Sequence, residues 1–316
     1  MEINTIGVVL SYYREQYGLS LAEICEGICS ATTLFRMEQG FREMDSLICE
    51  TLLARIGKQV VGVELLLNVE DYQLYLLRTE MNRRIEKDTY DGIEELLKSY
   101  RKLMPKKQSV HEQYCLYVEI MCMQKKGVPG EEITALIREA LELTKPGYGE
   151  GRKELELYSE VELKLIFLLV QYDTDDRWKE QELSKMLLFI KRYDSRRGRE
   201  RMEIRILMEL GRIERDRHHD EKRMEYLDLV IRRITESRKI TGLAEVHFEK
   251  AKVLERRFAA VSEENPEKKA SYEKQYLTEL KMAYYIALTM EENELLTKIK
   301  EFAEERAAWQ ITEWEM

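Results

Sequence analysis

The amino-acid sequence predicts an all-α protein in two parts, a group of short helices followed by a long array of helix pairs. Three observations predict this class. The 316 residues include 35% charged residues and only four prolines, a composition typical of long solvated helices. Apolar residues recur at steps of three and four, which is the spacing of an amphipathic helix. Runs that alternate with the period of a strand are hard to find.

Short-range signals define the helices of the N-terminal part. Ser20 can cap a second helix, and Glu23 can reach back to complete a capping box. Gly18, Gly40 and Gly57 follow helical patterns, as residues that close a helix do. Helices are predicted at about residues 6–17, after Ser20, at about 31–39, around 47–56 and around 61–67.

The rest of the chain repeats one unit, a pair of apolar-striped helices joined by a turn such as residues 126–130. The repeat length is about 35–45 residues, the signature of a helical-repeat solenoid. Proline disrupts a helix interior, so Pro105, Pro129, Pro146 and Pro266 are all predicted to lie between helices. Helix pairs are predicted at about residues 72–103, 110–144, 154–193, 199–237 and 242–290, with a last helix at about 293–310.

The N-terminal part resembles a known class of DNA-binding domain. Residues 12–42 read YYREQYGLSLAEICEGICSATTLFRMEQGFR. An arginine, a Gly-Leu-Ser run, a two-helix motif and Arg-x-Glu-x-Gly-x-Arg follow one another in this stretch. It resembles the Xre/Cro-type helix-turn-helix family, so we expect a five-helix domain of that kind at residues 1–66. The resemblance implies an ion pair between Arg14 and Glu38 that ties the first helix to the third. Two unrelated surface charges are the alternative.

The same resemblance implies where DNA would bind. The third helix would lie in the major groove with its N-terminal residues facing base edges. Threonine side chains there can meet thymine methyls or base acceptors, and neighbouring arginines can contact phosphates. The predicted DNA-binding residues are Ser30, Ala31, Thr32, Thr33, Phe35, Arg36 and Arg42.

The charge of this part limits the affinity that one subunit can reach. The whole chain has a net charge of −9, and residues 1–66 contain five basic and nine acidic residues. Phosphate neutralisation supplies most of the nonspecific affinity for DNA. We therefore expect one subunit to bind weakly and a dimer with two recognition helices to compensate. The alternative is a degenerate domain that is used only for protein contacts.

The second part, residues 67–316, resembles tetratricopeptide repeats. The runs ALELTKP at 140–146 and LKMAYYIAL at 280–288 are similar to parts of such a repeat. An Xre-type domain followed by these repeats resembles the peptide-pheromone-responsive regulators of Gram-positive bacteria (the Rgg/PlcR type, or RRNPP family). This resemblance implies a homodimer whose repeat surface binds a short peptide. By helix phase, we expect Tyr117, Tyr172 and Arg205 to contact that peptide.

Other chemistry has no support in the sequence. It contains no glycine-rich phosphate loop and no HExxH or GxSxG motif, so we expect no enzyme activity and no cofactor. The five cysteines lack CxxC pairing or matching histidine spacing, which predicts reduced thiols and no metal site. The run from His218 to Glu221 is interpreted as a solvated helix end. No apolar run approaches the ~18 residues of a membrane span, and a cytoplasmic location is expected.

Three functions therefore compete. The leading hypothesis is a DNA-binding transcriptional regulator that forms a homodimer and senses a short peptide. The second is a helical-repeat scaffold that regulates a partner protein and binds little DNA. In the third, the protein is a repressor that needs no ligand, and its repeats serve only dimerisation.

Overall fold

A computed structural model of the chain describes residues 5–58, 69–149, 157–192, 200–238, 240–262 and 265–306. Throughout these ranges the regular secondary structure is α-helix, so the predicted all-α class is confirmed. The chain divides into two compact units, residues 1–199 and residues 200–316. No helix within the described ranges is both long and apolar enough to cross a bilayer.

The N-terminal part begins with four helices in the order that the sequence predicts. They are α1 (Thr5–Gln16), α2 (Leu21–Cys25), α3 (Ala31–Glu38) and α4 (Ser46–Arg55). The predicted capping box starts α2, because Ser20 Oγ accepts from the Glu23 amide at 3.2 Å and Glu23 Oε2 accepts from the Ser20 amide at 2.7 Å. The predicted fifth helix and the predicted domain boundary after residue 66 lie outside the described residues.

Three helix pairs complete the first unit, and within each pair the two helices pack against one another. They are α5 (Val69–Glu86) with α6 (Ile93–Leu103), α7 (Ser109–Lys125) with α8 (Gly130–Thr144), and α9 (Glu160–Tyr172) with α10 (Asp176–Arg192). The third pair was expected to begin near residue 154. It begins at Glu160 because a second capping box, formed by Ser159 and Glu162, sets the start of α9.

The second unit contains α11 (Glu200–Asp216), α12 (Asp220–Glu236), α13 (Leu243–Ala260), α14 (Pro266–Thr289) and α15 (Asn293–Arg306). Alanines such as Ala251 and Ala283 are fully buried in the core of α13, α14 and α15, and small side chains let helices approach closely. The prediction that every proline lies between helices was wrong for Pro266, which occupies the first turn of α14. A proline is tolerated there because the first amides of a helix have no partner within it.

A buried arginine joins the first four helices to the helix pairs. Arg55, at the end of α4, is 2% exposed, and Glu162 of α9 is fully buried. Arg55 Nη2 lies 2.7 Å from Glu162 Oε1 and donates to the Thr144 carbonyl at 3.0 Å. Arg55 Nη1 donates to the carbonyls of Ile24 and Glu26 at 3.0 and 2.6 Å. One guanidinium thus connects the ends of α2, α4 and α8 with the start of α9.

The Glu162 carboxylate is equally well supported. Thr144 Oγ1 donates to Glu162 Oε1 at 2.7 Å, and the Ser159 amide donates to Glu162 Oε2 at 2.6 Å. Burial would raise the pKa of Glu162, but the charges of Arg55 and Lys145 outweigh burial and lower that pKa. The ion pair is therefore charged at neutral pH. Buried charges persist in a fold only when they are paired and hydrogen-bonded in this way.

Polar contacts also fix the other end of α4. His111 of α7 places Nε2 at 3.3 Å from Oδ1 of Asp45, the residue that caps α4, and its Nδ1 shares a 2.6 Å hydrogen bond with the Tyr100 hydroxyl. Ser46 donates its amide and its hydroxyl to the two carboxylate oxygens of Asp71 in α5, at 3.0 and 2.9 Å. Both ends of α4 are therefore held by residues of the helix pairs.

The turn between α2 and α3 rests directly on the second helix pair. Gly27 has a φ of +70°, and a Cβ at this position would overlap the Thr144 carbonyl. Glycine meets both demands because it has no side chain and adopts positive φ readily. The Ser109 hydroxyl donates to the Gly27 carbonyl at 2.7 Å. The segment that leads into α3 is thus positioned by α7 and α8.

Replacing Arg55 tests this junction. Arg55→Ala should lower the free energy of unfolding by about 3–5 kcal/mol, because it leaves the Glu162 carboxylate buried without its cation. Urea denaturation followed by circular dichroism measures the change. Arg83→Ala is the matched control, since Arg83 pairs with Glu80 on an exposed helix face, and it should leave the unfolding curve unchanged. Equal curves for Arg55→Ala and the wild type would contradict the role of this pair.

Candidate nucleic-acid interface

Helix α3 is anchored by its inner face and started by a capping serine. Leu34 and Met37 are buried, as is Glu38, and the spacing of three and four places them on one side of the helix. Ser30 is the N-cap, and its Oγ accepts from the Thr33 amide at 3.1 Å. Such a cap satisfies an amide that the helix itself cannot. The helix therefore presents a fixed outer face.

The outer face of α3 carries Thr32, Phe35, Arg36 and Gln39, all exposed. Three of these were predicted to bind DNA. Gln39 was missed, although it follows Thr32 by seven residues and Phe35 by four, the spacing of one helix face. This spacing could have identified Gln39 from the sequence.

The other predicted residues at the start of α3 are less available to a ligand. Ser30 is exposed, but its hydroxyl caps the helix and shares a 2.9 Å hydrogen bond with the hydroxyl of the half-buried Thr33. Ala31 is half-buried. The structure therefore places Thr32 outward and commits its neighbours Ser30 and Thr33 to starting the helix. Base contact by any of them stays a prediction.

The structure brings Arg14 and Glu38 together. Arg14 Nε donates to Glu38 Oε1 at 2.7 Å and Nη2 donates to Glu38 Oε2 at 2.9 Å, a two-pronged arrangement. Arg14 Nη1 also donates to the Leu19 carbonyl at 3.0 Å. The hydrogen bond from Arg14 to Glu38 raises the pKa of Arg14. Close packing supports the same contact, because a Cβ on Gly7 of α1 would overlap the Met37 carbonyl.

The end of α3 turns sharply at Gly40, which has a φ of +73°. The Gly40 amide donates to the Met37 carbonyl at 3.2 Å, and the Phe41 amide donates to the Arg36 carbonyl at 2.8 Å. These bonds form the glycine-closed helix end that the sequence predicts. Phe41 follows with 79% of its surface exposed, and the sequence analysis did not single it out. Arg42 comes next and is also exposed.

Few cationic side chains of the N-terminal part are free to contact DNA phosphates. Arg14 pairs with Glu38, Arg55 is buried, and Lys58 Nζ lies 4.4 Å from the centre of the Tyr13 ring. Within residues 5–58, the exposed arginines without an ion pair are Arg36 and Arg42. They lie at the end of α3 and just beyond it, where arginines can reach the backbone of a bound duplex. The available positive charge of residues 5–58 therefore lies at the C-terminal end of α3 and just after it.

The three predicted peptide contacts lie in different surroundings. Tyr117 of α7 is 5% exposed, and Lys164 Nζ lies 5.6 Å from its ring centre. Tyr172, at the end of α9, is half-buried and its hydroxyl accepts from Gln124 Nε2 at 3.0 Å. Arg205 is exposed on α11 and belongs to the second unit. A role for these three residues in peptide binding stays a prediction.

The structure also describes the possible metal ligands and the thiols. In the described part of the chain, no three His, Cys, Asp or Glu side chains lie together as ligands of one ion. All five cysteines are free, and Cys25, Cys49 and Cys115 are buried. Burial raises the pKa of Cys49 to about 12 and of Cys115 to about 11. Such thiols stay protonated at neutral pH and are poor nucleophiles.

These features define a helix-turn-helix unit that is packed on an array of helix pairs, and solved structures with the same fold exist. No family model and no curated protein matches the sequence. PlcR of Bacillus thuringiensis, solved with the peptide PapR7 and DNA, superimposes with a TM-score of 0.53 at 11% identity, covering 93% of this chain and 98% of that chain. The apo form of the competence regulator ComR from Streptococcus vestibularis gives 0.49 at 16% identity, with 96% and 98% covered. The likeness to PlcR shows a shared fold over nearly the whole chain.

Three substitutions at the contact between α1 and α3 should lower the free energy of unfolding by different amounts. Arg14→Lys keeps the charge but loses the two-pronged geometry, so it should cost about 1–2 kcal/mol of stability. Arg14→Ala leaves the buried Glu38 carboxylate unpaired and should cost about 3 kcal/mol or more. Urea denaturation measures both. Glu15→Ala removes the exposed partner of the same arginine and should change stability by less than about 0.5 kcal/mol. Equal effects of all three substitutions would contradict a specific role for Glu38.

Proposed function

We propose that this chain is a DNA-binding transcriptional regulator that acts as a homodimer and senses a short peptide through its repeats. In this proposal residues 1–66 bind DNA, and residues 67–316 bind the ligand and dimerise. The observation that carries it is the geometry of α3, whose outer face is open while its inner face and both ends are fixed. A helix held in this way can enter a major groove without rearranging.

The contact with DNA would use two kinds of side chain. Arg36 and Arg42 would neutralise phosphates and set the position of the unit on the duplex. Thr32, Phe35 and Gln39 would face base edges. Two phosphate contacts from one subunit give little affinity at physiological salt. A dimer doubles them and places two α3 helices about 34 Å apart on successive major grooves.

The peptide is supported by the fold that this chain shares with PlcR, which was solved with the peptide PapR7. Stacked helix pairs offer an extended surface, and a short linear peptide can lie along it. Of the three contacts predicted from the sequence, Arg205 is exposed and Tyr172 is half-buried, so these two are proposed, whereas Tyr117 is buried. Because α4 is bonded to α5, α7, α8 and α9, a ligand that shifts these helices would also shift α3.

One observation favours the second candidate, a scaffold that regulates another protein. Of the five cations within residues 1–66, Arg14, Arg55 and Lys58 interact with side chains of the protein itself. A domain whose cations are mostly paired with its own side chains attracts DNA weakly, which favours a protein-binding module over a DNA-binding domain. Only direct binding to DNA separates these two candidates.

Selection of bound duplexes tests the DNA proposal. The full-length chain, incubated with random double-stranded DNA at low salt, should enrich a sequence with two half-sites. Arg36→Ala and Arg42→Ala should each weaken binding to all sequences. Each should also reduce the slope of log affinity against log salt by about one, because one arginine no longer neutralises a phosphate. Arg83→Ala, a change on a distant exposed pair, is the control. No enrichment, with or without added peptides, would overturn the regulator in favour of the scaffold.

Ligand binding is tested separately with a library of short synthetic peptides. A peptide present at 100 times its dissociation constant should stabilise the folded chain by about 2.7 kcal/mol, seen as a higher melting temperature. Arg205→Ala should reduce this stabilisation, and a scrambled peptide should give none. If no peptide in the library stabilises the wild-type chain, the repeats do not act as a peptide sensor. The DNA-binding proposal would then stand without it.

A further inference from the structure

The start of the α3 outer face carries few hydrogen-bond donors, and the internal bonds of the helix engage some of them. The hydroxyls of Ser30 and Thr33 bond one another at 2.9 Å, and Ser30 Oγ also caps the helix. Ala31 offers only a methyl group. Thr32 is the one first-turn side chain that faces outward, and Phe35 stands one turn further along the same face.

Phe35 is 48% exposed, so its ring is accessible to a partner. A phenylalanine left in water forgoes the stabilisation that burial of its ring would bring. Arg36 follows it directly and Arg42 lies just beyond the helix, both exposed. An apolar ring flanked by cations fits a surface that is apolar in one place and anionic around it.

The major groove of DNA offers such a surface at thymine. Guanine is read by arginine or lysine donors and adenine by asparagine or glutamine, whereas thymine presents a 5-methyl group that apolar side chains contact. The side chains of α3 with suitable donors are Arg36 and Gln39, in its last turn and at its C-cap. The first turn of the helix, whose residues face base edges in this docking mode, exposes Thr32 with its hydroxyl and its methyl group, and Phe35 follows one turn later.

We infer that Phe35, assisted by Thr32, is a specificity-determining residue that reads thymine methyl groups in each half-site. This inference rests on the proposed DNA binding and names the kind of sequence that the site selects. Half-sites should be rich in thymine at the positions under Thr32 and Phe35. Phe35 and Thr32 give the site its discrimination, and the two arginines give it affinity.

Replacing thymine by uracil removes the methyl group and leaves base pairing and hydrogen-bonding edges intact. The experiment uses the full-length chain and the duplex that the selection enriches, with each thymine changed to uracil one at a time, and measures affinity by fluorescence anisotropy. Burial of one methyl group corresponds to about fourfold in affinity. The wild type should bind about fourfold more weakly when a thymine under Phe35 is changed, and equally well when a thymine away from both Phe35 and Thr32 is changed.

Two variants make the result specific to Phe35. Phe35→Ala should bind the thymine and uracil duplexes equally, because the ring that senses the methyl is gone. Phe41→Ala removes another exposed ring, one that lies beyond the helix, and should keep the fourfold preference. Circular dichroism and a melting curve check that both variants fold, and Phe35→Leu, which keeps an apolar contact, should retain part of the preference.

The outcomes separate the two proposals. Tight binding with no thymine preference in the wild type, or a preference that survives in Phe35→Ala, would overturn the reading of methyl groups and leave DNA binding intact. If Phe35→Ala instead converts a dimer to a monomer in sedimentation, the ring belongs to a protein interface and the inference is wrong. Absence of any DNA binding overturns the proposed function itself.

Discussion

The buried pair of Arg55 and Glu162 is the constraint on which the rest of the first unit depends. Two opposite charges sit where water does not reach, and each is supported by further hydrogen bonds. Such an arrangement tolerates little displacement, because every shift would strand a charge or a carbonyl. The helix-turn-helix is therefore held by contacts with α8 and α9 as well as by its own core. Its orientation is a property of the repeats.

Internal ion pairs also leave few cations on the outer surface of residues 5–58. Arginines that could have faced a duplex are used to build the unit, Arg14 between α1 and α3 and Arg55 between α4 and α9. The gain is an α3 helix that needs no ordering when it binds, which removes one cost of association. The loss is electrostatic attraction. In the proposed DNA complex, binding would rely on shape, on side chains such as Phe35 and on the doubling of contacts in a dimer.

Local signals were sufficient to predict most of the fold. Caps such as Ser20 with Glu23 act over three residues, so the sequence shows them directly, and the helix pairs follow from apolar spacing. The sequence predicted the outer face of α3 only in part. Gln39 was missed, although its spacing from Phe35 places it on the same face of the helix. The contact of Arg55 with Glu162 could not be predicted, because it joins residues separated by 107 positions and each looks like an ordinary surface charge. The prediction for Pro266 was wrong because proline disrupts a helix only in its interior, and Pro266 lies in a first turn.

The contact of Gly27 with the Thr144 carbonyl has a consequence for how such proteins diversify. A helix-turn-helix transferred from another protein would need a glycine at this turn, because even a single methyl group there would collide with the end of α8. It would also have to supply a cation for Glu162. Recombination that exchanges whole modules is therefore disfavoured at this junction. Under the proposed DNA binding, new specificities should arise by point substitutions on the outer face of α3, while the contacts of Gly27 and Glu162 are retained.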